Sequence, residues 1–282
     1  MKYRRMPNGD ELSILGFGCM RLPVKERKID EPRAIEQIRY AVDQGVNYLD
    51  TAWPYHGGES ETLLAKVLGD GYRGRVKLAT KLPSWMIKTR EDMDRYLAAQ
   101  LARLQADHID YYLLHSLDGA SWDKLLRLGV LEFLDQAKGD GRITNAGFSF
   151  HGLLADFKRI VDAYVWTCCQ IQYNYLDENS QAGTEGLEYA ASKGLGVIIM
   201  EPLGGGKLGS VVPPEVEALW TQAKVRRTPA EWALRWVWNR PEVTVVLSGM
   251  NEESQIRENL AIASDASANA FSQEELELVE RV

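Results

Sequence analysis

Cysteine is scarce in this chain. Only Cys19, Cys168 and Cys169 occur among its 282 residues. Their number is odd, and two adjacent cysteines rarely reach disulfide geometry without strain. The pattern excludes a disulfide framework and predicts a reduced, intracellular protein.

Long apolar runs are absent as well. No stretch approaches the roughly 18 apolar residues of a membrane span. The first residues pass from Arg4 and Arg5 to Pro7 without an apolar signal segment. We therefore expect a cytoplasmic protein with no membrane partner.

An excess of positive charge is also lacking. Lys and Arg number 33 against 40 Asp and Glu, and the resulting net charge of −7 repels a phosphate backbone. We expect no nucleic-acid partner, although a local basic pocket would still accept an anionic small molecule. The hydrophobic fraction of 45% is typical of a globular chain, and 282 residues allow one or two domains.

Eight short apolar runs recur along the chain, starting 24 to 47 residues apart, or about one βαβ unit per step. Segments with helical periodicity lie between them, as at Ile35, Ile38 and Val42. The alternation predicts one parallel sheet. The runs are Ile14–Gly18, Val46–Asp50, Val76–Thr80, Ile109–Leu114, Ile143–Ser149, Thr167–Gln172, Gly196–Met200 and Val243–Leu247.

Eight strands that alternate with helices favour an α/β fold of the (β/α)8 TIM-barrel type over an open doubly wound sheet, which usually has five or six strands. Asn8-Gly9 is typical of a hairpin turn, and such a hairpin would close the barrel floor. Capping boxes predict helix starts at Thr228–Glu231 and Ser272–Glu275, and the longest step has room for two helices. We expect residues 1–282 to form a single barrel domain.

Four ionisable side chains follow three consecutive runs: Asp50 and Tyr55 the second, Lys81 the third and His115 the fourth. In a barrel, these run ends share the reactive face. Taken singly, each has an ordinary structural interpretation: Asp50 is typical of a helix cap and Tyr55 of a half-buried aromatic residue. Lys81 fits a solvated charge and His115 a core histidine. Their convergence on one rim favours a catalytic cluster.

The chemistry of such a cluster follows from its charges. An ammonium beside the Tyr55 phenol favours phenolate and lowers its pKa, while a carboxylate keeps Lys81 charged. A phenol beside a histidine suits carbonyl reduction, because hydride arriving at carbon must be matched by a proton at oxygen. No side chain supplies hydride, so we expect a nicotinamide cofactor.

The four residues lie in longer motifs, Asp50-Thr51-Ala52-x-x-Tyr55, Ala79-Thr80-Lys81 and Ile109-Asp110-Tyr111-Tyr112-Leu113-Leu114-His115. In this order the motifs resemble those of the aldo-keto reductases, and the resemblance runs from Gly16 to Leu260. It implies a barrel that binds NADP(H) across its C-terminal face. It also implies roles for the cluster: Tyr55 as general acid, tuned by Lys81 and Asp50, and His115 orienting the carbonyl.

The resemblance also implies cofactor positions, with departures. Phe150 stands beside Ser149 where Asn is common, and Met200 stands where an aromatic ring often stacks on nicotinamide. Gly249 and Gln255 stand where many relatives place Lys or Arg for the 2′-phosphate, so we expect NADP(H), with NAD(H) as the second possibility. The implied cofactor residues are Gly18, Cys19, Met20, Asp50, Ser149, Gln170, Met200, Pro202, Leu203, Gly204, Gly206, Gly249, Met250, Gln255, Glu258 and Asn259.

The substrate is predicted to be a small carbonyl compound at an aromatic mouth, with no metal ion. Its expected contacts are Trp53, His56, Trp85 and Phe150. The segments around Ser149 and Met200 resemble a subgroup whose members often continue into a cysteine-rich iron-sulfur tail. This chain ends at Val282 before such a tail, which leaves a truncated and a naturally short form both open; the oligomeric state is open too.

Two other functions stay open from the sequence. One is a regulatory module that binds the cofactor and turns over slowly, as the potassium-channel β subunits resemble this family. The other is a barrel lyase or isomerase with Lys81 as a Schiff-base nucleophile. A Lys81 paired with Asp50 would stay protonated, which argues against this last reading.

Overall fold

The eight apolar runs form one closed parallel barrel in a computed structural model that describes residues 1–210 and 212–282. The strands in this part of the chain are β1 (Tyr3–Arg5), β2 (Glu11–Ser13), β3 (Leu15–Gly18), β4 (Val24–Lys25), β5 (Lys28–Ile29), β6 (Tyr48–Asp50), β7 (Lys77–Leu82), β8 (Ile109–Leu117), β9 (Ile143–Phe150), β10 (Cys168–Gln172), β11 (Gly196–Met200) and β12 (Val243–Ser248). β3 and β6 to β12 close the barrel in sequence order. The predicted (β/α)8 barrel is confirmed, and the open doubly wound sheet is excluded.

Helices cover the outside of the barrel. Within the same described ranges they are α1 (Glu31–Asp43), α2 (Glu59–Leu68), α3 (Arg90–Leu104), α4 (Gly119–Arg127), α5 (Val130–Gly139), α6 (Leu154–Asp162), α7 (Gly183–Ser192), α8 (Pro214–Trp220), α9 (Pro229–Trp238), α10 (Glu253–Asp265) and α11 (Gln273–Glu280). The long step before β12 holds α8 and α9, as predicted. Amphipathic helices such as α1 bury an apolar stripe in the main core, here Ile38 and Val42, whereas α8 buries only Trp220.

The two predicted capping boxes differ. Ser272 and Glu275 form the full reciprocal pair at the start of α11. At α9 only half of the box forms: the Thr228 hydroxyl accepts from the Glu231 N–H, but the Glu231 carboxylate accepts from Arg235 instead. The guanidinium of Arg235 lies one turn further along the helix, and this charged group is a stronger donor to the carboxylate than the backbone N–H of Thr228.

The N-terminal hairpin closes the floor of the barrel. β1 and β2 pair antiparallel, and Gly9 takes the left-handed turn position at φ +95°. Met6 and Leu12 are buried beside interior side chains such as Tyr48 and Tyr111. With its lower end closed, the barrel is open to ligands at the C-terminal end of its strands.

Candidate active site

Lys81 is the centre of the site. It lies near the C-terminal end of β7 and is fully buried. Its ammonium donates to Asp50 Oδ1 at 2.6 Å, to the Thr51 carbonyl at 2.8 Å and to the Tyr55 hydroxyl at 3.4 Å. Three directed hydrogen bonds use all three donors of an ammonium group, so its position is fixed.

The charges of this cluster support one another. Burial lowers the pKa of Lys81, but the Asp50 carboxylate and the Tyr55 phenol raise it by more, so the net shift is upward. Gln170 Nε2 donates to the second oxygen of Asp50 at 3.0 Å, so that each carboxylate oxygen has a partner. Lys81 therefore stays charged, as an ammonium paired with a hydrogen-bonded carboxylate.

The sequence-based expectation for the Tyr55 pKa needs correction. Burial raises the pKa of the phenol, Lys81 lowers it, and Asp50 raises it again, so the net pKa lies above its ordinary value. Desolvation outweighs the ammonium because protein atoms surround most of the phenol. Tyr55 is thus held as a protonated phenol, the form needed to donate a proton.

His115 faces the same site from β8. The register between β8 and β9 shifts between Leu114 and Leu117, and Ser116 has a left-handed φ of +56°. A bulge of this kind redirects a side chain at the end of a strand. The imidazole lies edge-on to the Tyr55 ring at 6.0 Å and beside the Trp85 ring at 5.1 Å between centroids.

His115 is neutral at physiological pH. Burial lowers its pKa to about 2, helped by the charges of Lys81 and His151. Nδ1 is buried without a hydrogen-bond partner in residues 1–210 and 212–282. The other nitrogen, Nε2, is therefore the one available to a ligand.

The lowered pKa of His115 predicts acid-sensitive folding. Below about pH 6.5 the histidine of the unfolded chain binds a proton, whereas folded His115 stays neutral. Protonation therefore favours the unfolded state, and the free energy of unfolding falls as pH falls. Between about pH 7 and pH 5, wild type should lose about 1 to 2 kcal/mol more unfolding free energy than His115→Gln. Urea unfolding of both proteins at the two pH values measures this. Equal losses would mean that folded His115 titrates normally.

A cleft of about 490 Å³ runs from Tyr55 and His115 to the N-terminal end of α10. This volume suits an organic cofactor. Most of the predicted cofactor residues line the cleft, namely Gly18, Met20, Asp50, Ser149, Gln170, Met200, Pro202, Leu203, Gly206, Gly249, Met250, Gln255, Glu258 and Asn259.

Two predicted cofactor residues lie elsewhere. Cys19 is fully buried, and its backbone N–H donates to the Asp50 carbonyl. It therefore stabilises the end of β6, which carries Asp50, and does not line the cleft. Gly204 begins the glycine-rich turn Gly204–Gly209 but does not line the cleft. Both positions belong to motifs whose neighbouring residues line the cleft, and a motif marks a segment without specifying which of its residues face a ligand.

Arg21 is a cleft residue that the sequence reasoning left unassigned. Its Nη1 donates to the Gly205 carbonyl at 2.6 Å, which joins the loop after β3 to the glycine-rich turn across the cleft. Gly205 and Gly206 have φ of +72° and +100°, a conformation that side chains disfavour. The Gly16–Arg21 motif contained the signal, because its last residue is the cation.

None of the four predicted substrate residues is among those that line the cleft. Trp53 packs outward, with the Arg103 guanidinium 3.4 Å above its ring. His56 has φ of +52°, and its Nε2 accepts from the Leu22 N–H at 3.1 Å. Phe150 is fully buried against Phe157, since it alternates with the inward-facing Ser149 along β9. Trp85, half-exposed beside His115, stays a prediction.

The α10 N-terminus forms the far end of the cleft. The carboxylate of its N-cap, Glu252, accepts from the Gln255 N–H, while Gln255 Oε1 accepts from the Asn251 N–H at 3.1 Å. Arg33 of α1 bonds Glu252 at 2.7 Å and Glu253 at 2.6 Å. The helix is thus capped by its own residues, and the nearby guanidinium is already paired.

Comparison with known proteins decides the family. A family model described as the aldo/keto reductase family matches residues 14–282. The chain belongs to the aldo-keto reductase family. The family predicted from the catalytic motifs is therefore confirmed, and aldo-keto reductases are oxidoreductases.

Relatives of this aldo-keto reductase span nearly its whole length. It is 27% identical to the L-galactose dehydrogenase of Arabidopsis thaliana, over 97% of this chain and 91% of that protein. The holo form of aldo-keto reductase AKR11C1 from Bacillus halodurans is 25% identical, with a TM-score of 0.83 over 100% of this chain and 96% of that one. An aldo-keto reductase from Klebsiella pneumoniae in complex with NADPH is 22% identical and shares the fold, with a TM-score of 0.80 over 99% and 94% of the two chains.

Two kinds of feature are absent from residues 1–210 and 212–282. No helix there is both long and apolar enough to cross a bilayer. No group of three or more His, Cys, Asp or Glu side chains is arranged to hold a metal ion.

Proposed function

We propose that this aldo-keto reductase reduces an aldehyde or ketone to an alcohol with NADP(H) bound in the cleft. NAD(H) is the second candidate cofactor, and residues 1–282 act as one catalytic barrel domain. The observation that carries the proposal is the contact of buried Lys81 with both Asp50 and the Tyr55 hydroxyl, beside neutral His115.

Proton delivery is assigned to Tyr55. Its raised pKa keeps the phenol protonated at neutral pH, and the ammonium of Lys81 stabilises the phenolate that forms when the proton leaves. The neutral His115 holds the carbonyl oxygen through Nε2, because the N–H of an uncharged imidazole is too weak an acid to replace Tyr55 as the proton donor. Asp50 keeps Lys81 in place.

The cleft residues fit a nicotinamide dinucleotide. Ser149 Oγ accepts from the Ser116 N–H at 2.7 Å, so its own hydrogen is available to a carboxamide. Gln170 lies on the neighbouring strand and lines the cleft as well. Met200 offers a polarizable thioether to the ring. When bound, the cofactor supplies the hydride that no side chain can provide.

The named relatives support this assignment. L-galactose dehydrogenase is an oxidoreductase by name, and the Klebsiella pneumoniae relative was solved with NADPH. The buried position of Lys81 argues against a Schiff-base enzyme, because its amine is held charged by Asp50.

Fluorescence titration with NADPH and NADH, followed by a panel of aldehydes and ketones, tests the proposal. Binding with turnover supports a reductase. Tight binding with negligible turnover across the panel favours the regulatory module instead. Borohydride trapping of a covalent adduct on Lys81 with a carbonyl ligand would overturn the proposal in favour of the lyase.

The adenosine end of the cleft predicts a modest preference for NADPH, about tenfold or ~1.4 kcal/mol. Gly249 and Gln255 carry no charge for a 2′-phosphate, and the capping box of α10 already uses the backbone N–H groups of Glu252 and Gln255. We expect NADPH to be preferred because this cofactor is common in the family, and the preference should weaken as the salt concentration rises. Gln255→Arg should strengthen it, since a guanidinium binds phosphate through charge-assisted hydrogen bonds.

Dissociation constants for both cofactors at low and high salt check this preference. Arg257→Gln is the matched control, because residue 257 lies on another face of α10 and does not line the cleft. Tighter binding of NADH by wild type would contradict the expected order.

A further inference from the structure

A second histidine, His151, lines the cleft that contains His115. It follows β9 directly and lies close enough to His115 to influence the pKa of that imidazole. Neither the catalytic cluster nor the predicted cofactor contacts include it. His151 is thus a polar side chain near His115 in the cleft that takes no part in the proposed proton delivery or cofactor binding.

A chain of hydrogen bonds leads to His151 Nδ1 and determines which nitrogen of the ring carries the proton. Gln172 Nε2 donates to Asp177 Oδ2 at 2.9 Å, and Gln181 Nε2 donates to Gln172 Oε1 at 2.9 Å. Gln181 Oε1 then lies 3.1 Å from His151 Nδ1. The chain begins at a carboxylate and ends in the cleft.

The direction of this chain follows from its first member. An ionised carboxylate only accepts, so Gln172 must turn its amide NH₂ toward Asp177 and its carbonyl toward Gln181. The same logic places the Gln181 carbonyl toward His151, whose Nδ1 must carry the proton. In a neutral ring the remaining nitrogen, Nε2, is then an acceptor only. No hydrogen bond to Nε2 occurs within the described residues.

The cleft therefore offers donors and an acceptor at the same end. The Tyr55 hydroxyl and His115 suit the carbonyl oxygen, whereas His151 Nε2 suits a substrate hydrogen-bond donor. We propose that His151 is a specificity-determining residue that accepts a hydrogen bond from a substrate hydroxyl, so that the preferred substrates are hydroxylated aldehydes or ketones. This inference rests on the proposed reductase function.

Two aldehydes with the same carbon skeleton test the inference. Glyceraldehyde carries hydroxyl groups and propanal does not, so wild type should have the higher kcat/KM for glyceraldehyde at about pH 8, where an imidazole is ordinarily neutral. His151→Leu should lower kcat/KM for glyceraldehyde about tenfold, mainly through KM, and change propanal less than about twofold. His151→Gln keeps an acceptor oxygen and should restore part of the difference.

The tautomer provides a readout that does not depend on turnover. Nitrogen NMR of the free protein should find the His151 proton on Nδ1, and Gln181→Met should shift it toward Nε2, because the acceptor that holds it is gone. A proton on Nε2 in wild type would overturn the inference.

The kinetic outcomes separate the two proposals. Equal losses on both aldehydes, or a wild-type preference for propanal, overturn the role of His151 and leave the reductase intact. Failure of wild type to reduce glyceraldehyde and propanal, when other carbonyl compounds of the panel are reduced, overturns this inference alone, whereas failure across the whole panel with NADPH and NADH overturns the proposed function as well. An equal response of glyceraldehyde and a matched amino-aldehyde to His151→Leu would overturn the assignment to hydroxyl groups.

Discussion

Tyr55→Phe is expected to lower reductase turnover by about 10² to 10⁴-fold, the usual contribution of a general acid. The ring stays in place and only the hydroxyl that Lys81 contacts at 3.4 Å is lost. Cofactor dissociation constants should change by less than about twofold, because the hydroxyl is assigned to the reacting carbonyl and not to the nucleotide.

Steady-state rates and cofactor titrations on the same preparations measure this effect. Tyr48→Phe is the matched control: Tyr48 is a fully buried barrel tyrosine whose hydroxyl has no hydrogen-bond partner in the described residues. Removing that hydroxyl should leave turnover unchanged and cost no stability. A Tyr55→Phe enzyme within about twofold of wild type would remove Tyr55 from the mechanism.

Lys81→Met should also lower turnover by at least about 10²-fold, because the phenolate formed at Tyr55 loses its counter-charge. The change leaves Asp50 buried without its cation, which typically costs about 3 to 5 kcal/mol of stability. Gln170 still donates to Asp50, and the double variant Lys81→Met with Asp50→Asn removes the unpaired charge. Thermal unfolding of each variant ensures that rates are compared below its melting temperature.

The pair is tested by combining Tyr55→Phe with Lys81→Met. If Lys81 acts through Tyr55, the double variant should lie within about threefold of the slower single variant. Losses that multiply would mean that Lys81 acts independently of the phenol. Lys77→Met is the control lysine: it lies on the same strand at the closed end of the barrel, where it pairs with Asp10, and should affect stability without changing kcat.

The sequence predicted the fold closely because its signals are local. Eight apolar runs became eight barrel strands, and their ends moved by at most three residues, as where β8 extends to Leu117. The hairpin at Asn8-Gly9 formed for the same reason, since a two-residue turn is specified by its own residue types. Asp50, Tyr55, Lys81 and His115 converge because the C-terminal ends of parallel strands share one rim.

The directions of side chains beyond the strands could not be predicted in this way. Trp53, His56 and Phe150 were chosen for residue type and proximity to the motif, yet each packs against another element: Trp53 and His56 against distant segments, and Phe150 against Phe157 of the following helix. Arg103 of α3 holds Trp53, and the backbone after β3 holds His56. These partners become neighbours only after the chain has folded.

The sequence by itself thus determined the barrel, its closed floor and which ionisable side chains meet at its open end, because hydrophobic periodicity, turn residues and strand ends are features of consecutive residues. Only the tertiary structure decided the protonation of Tyr55 and His115, since desolvation depends on what surrounds a group from every side. It also decided the orientation of His151, which is set by a hydrogen-bond chain that ends 26 residues away at Asp177.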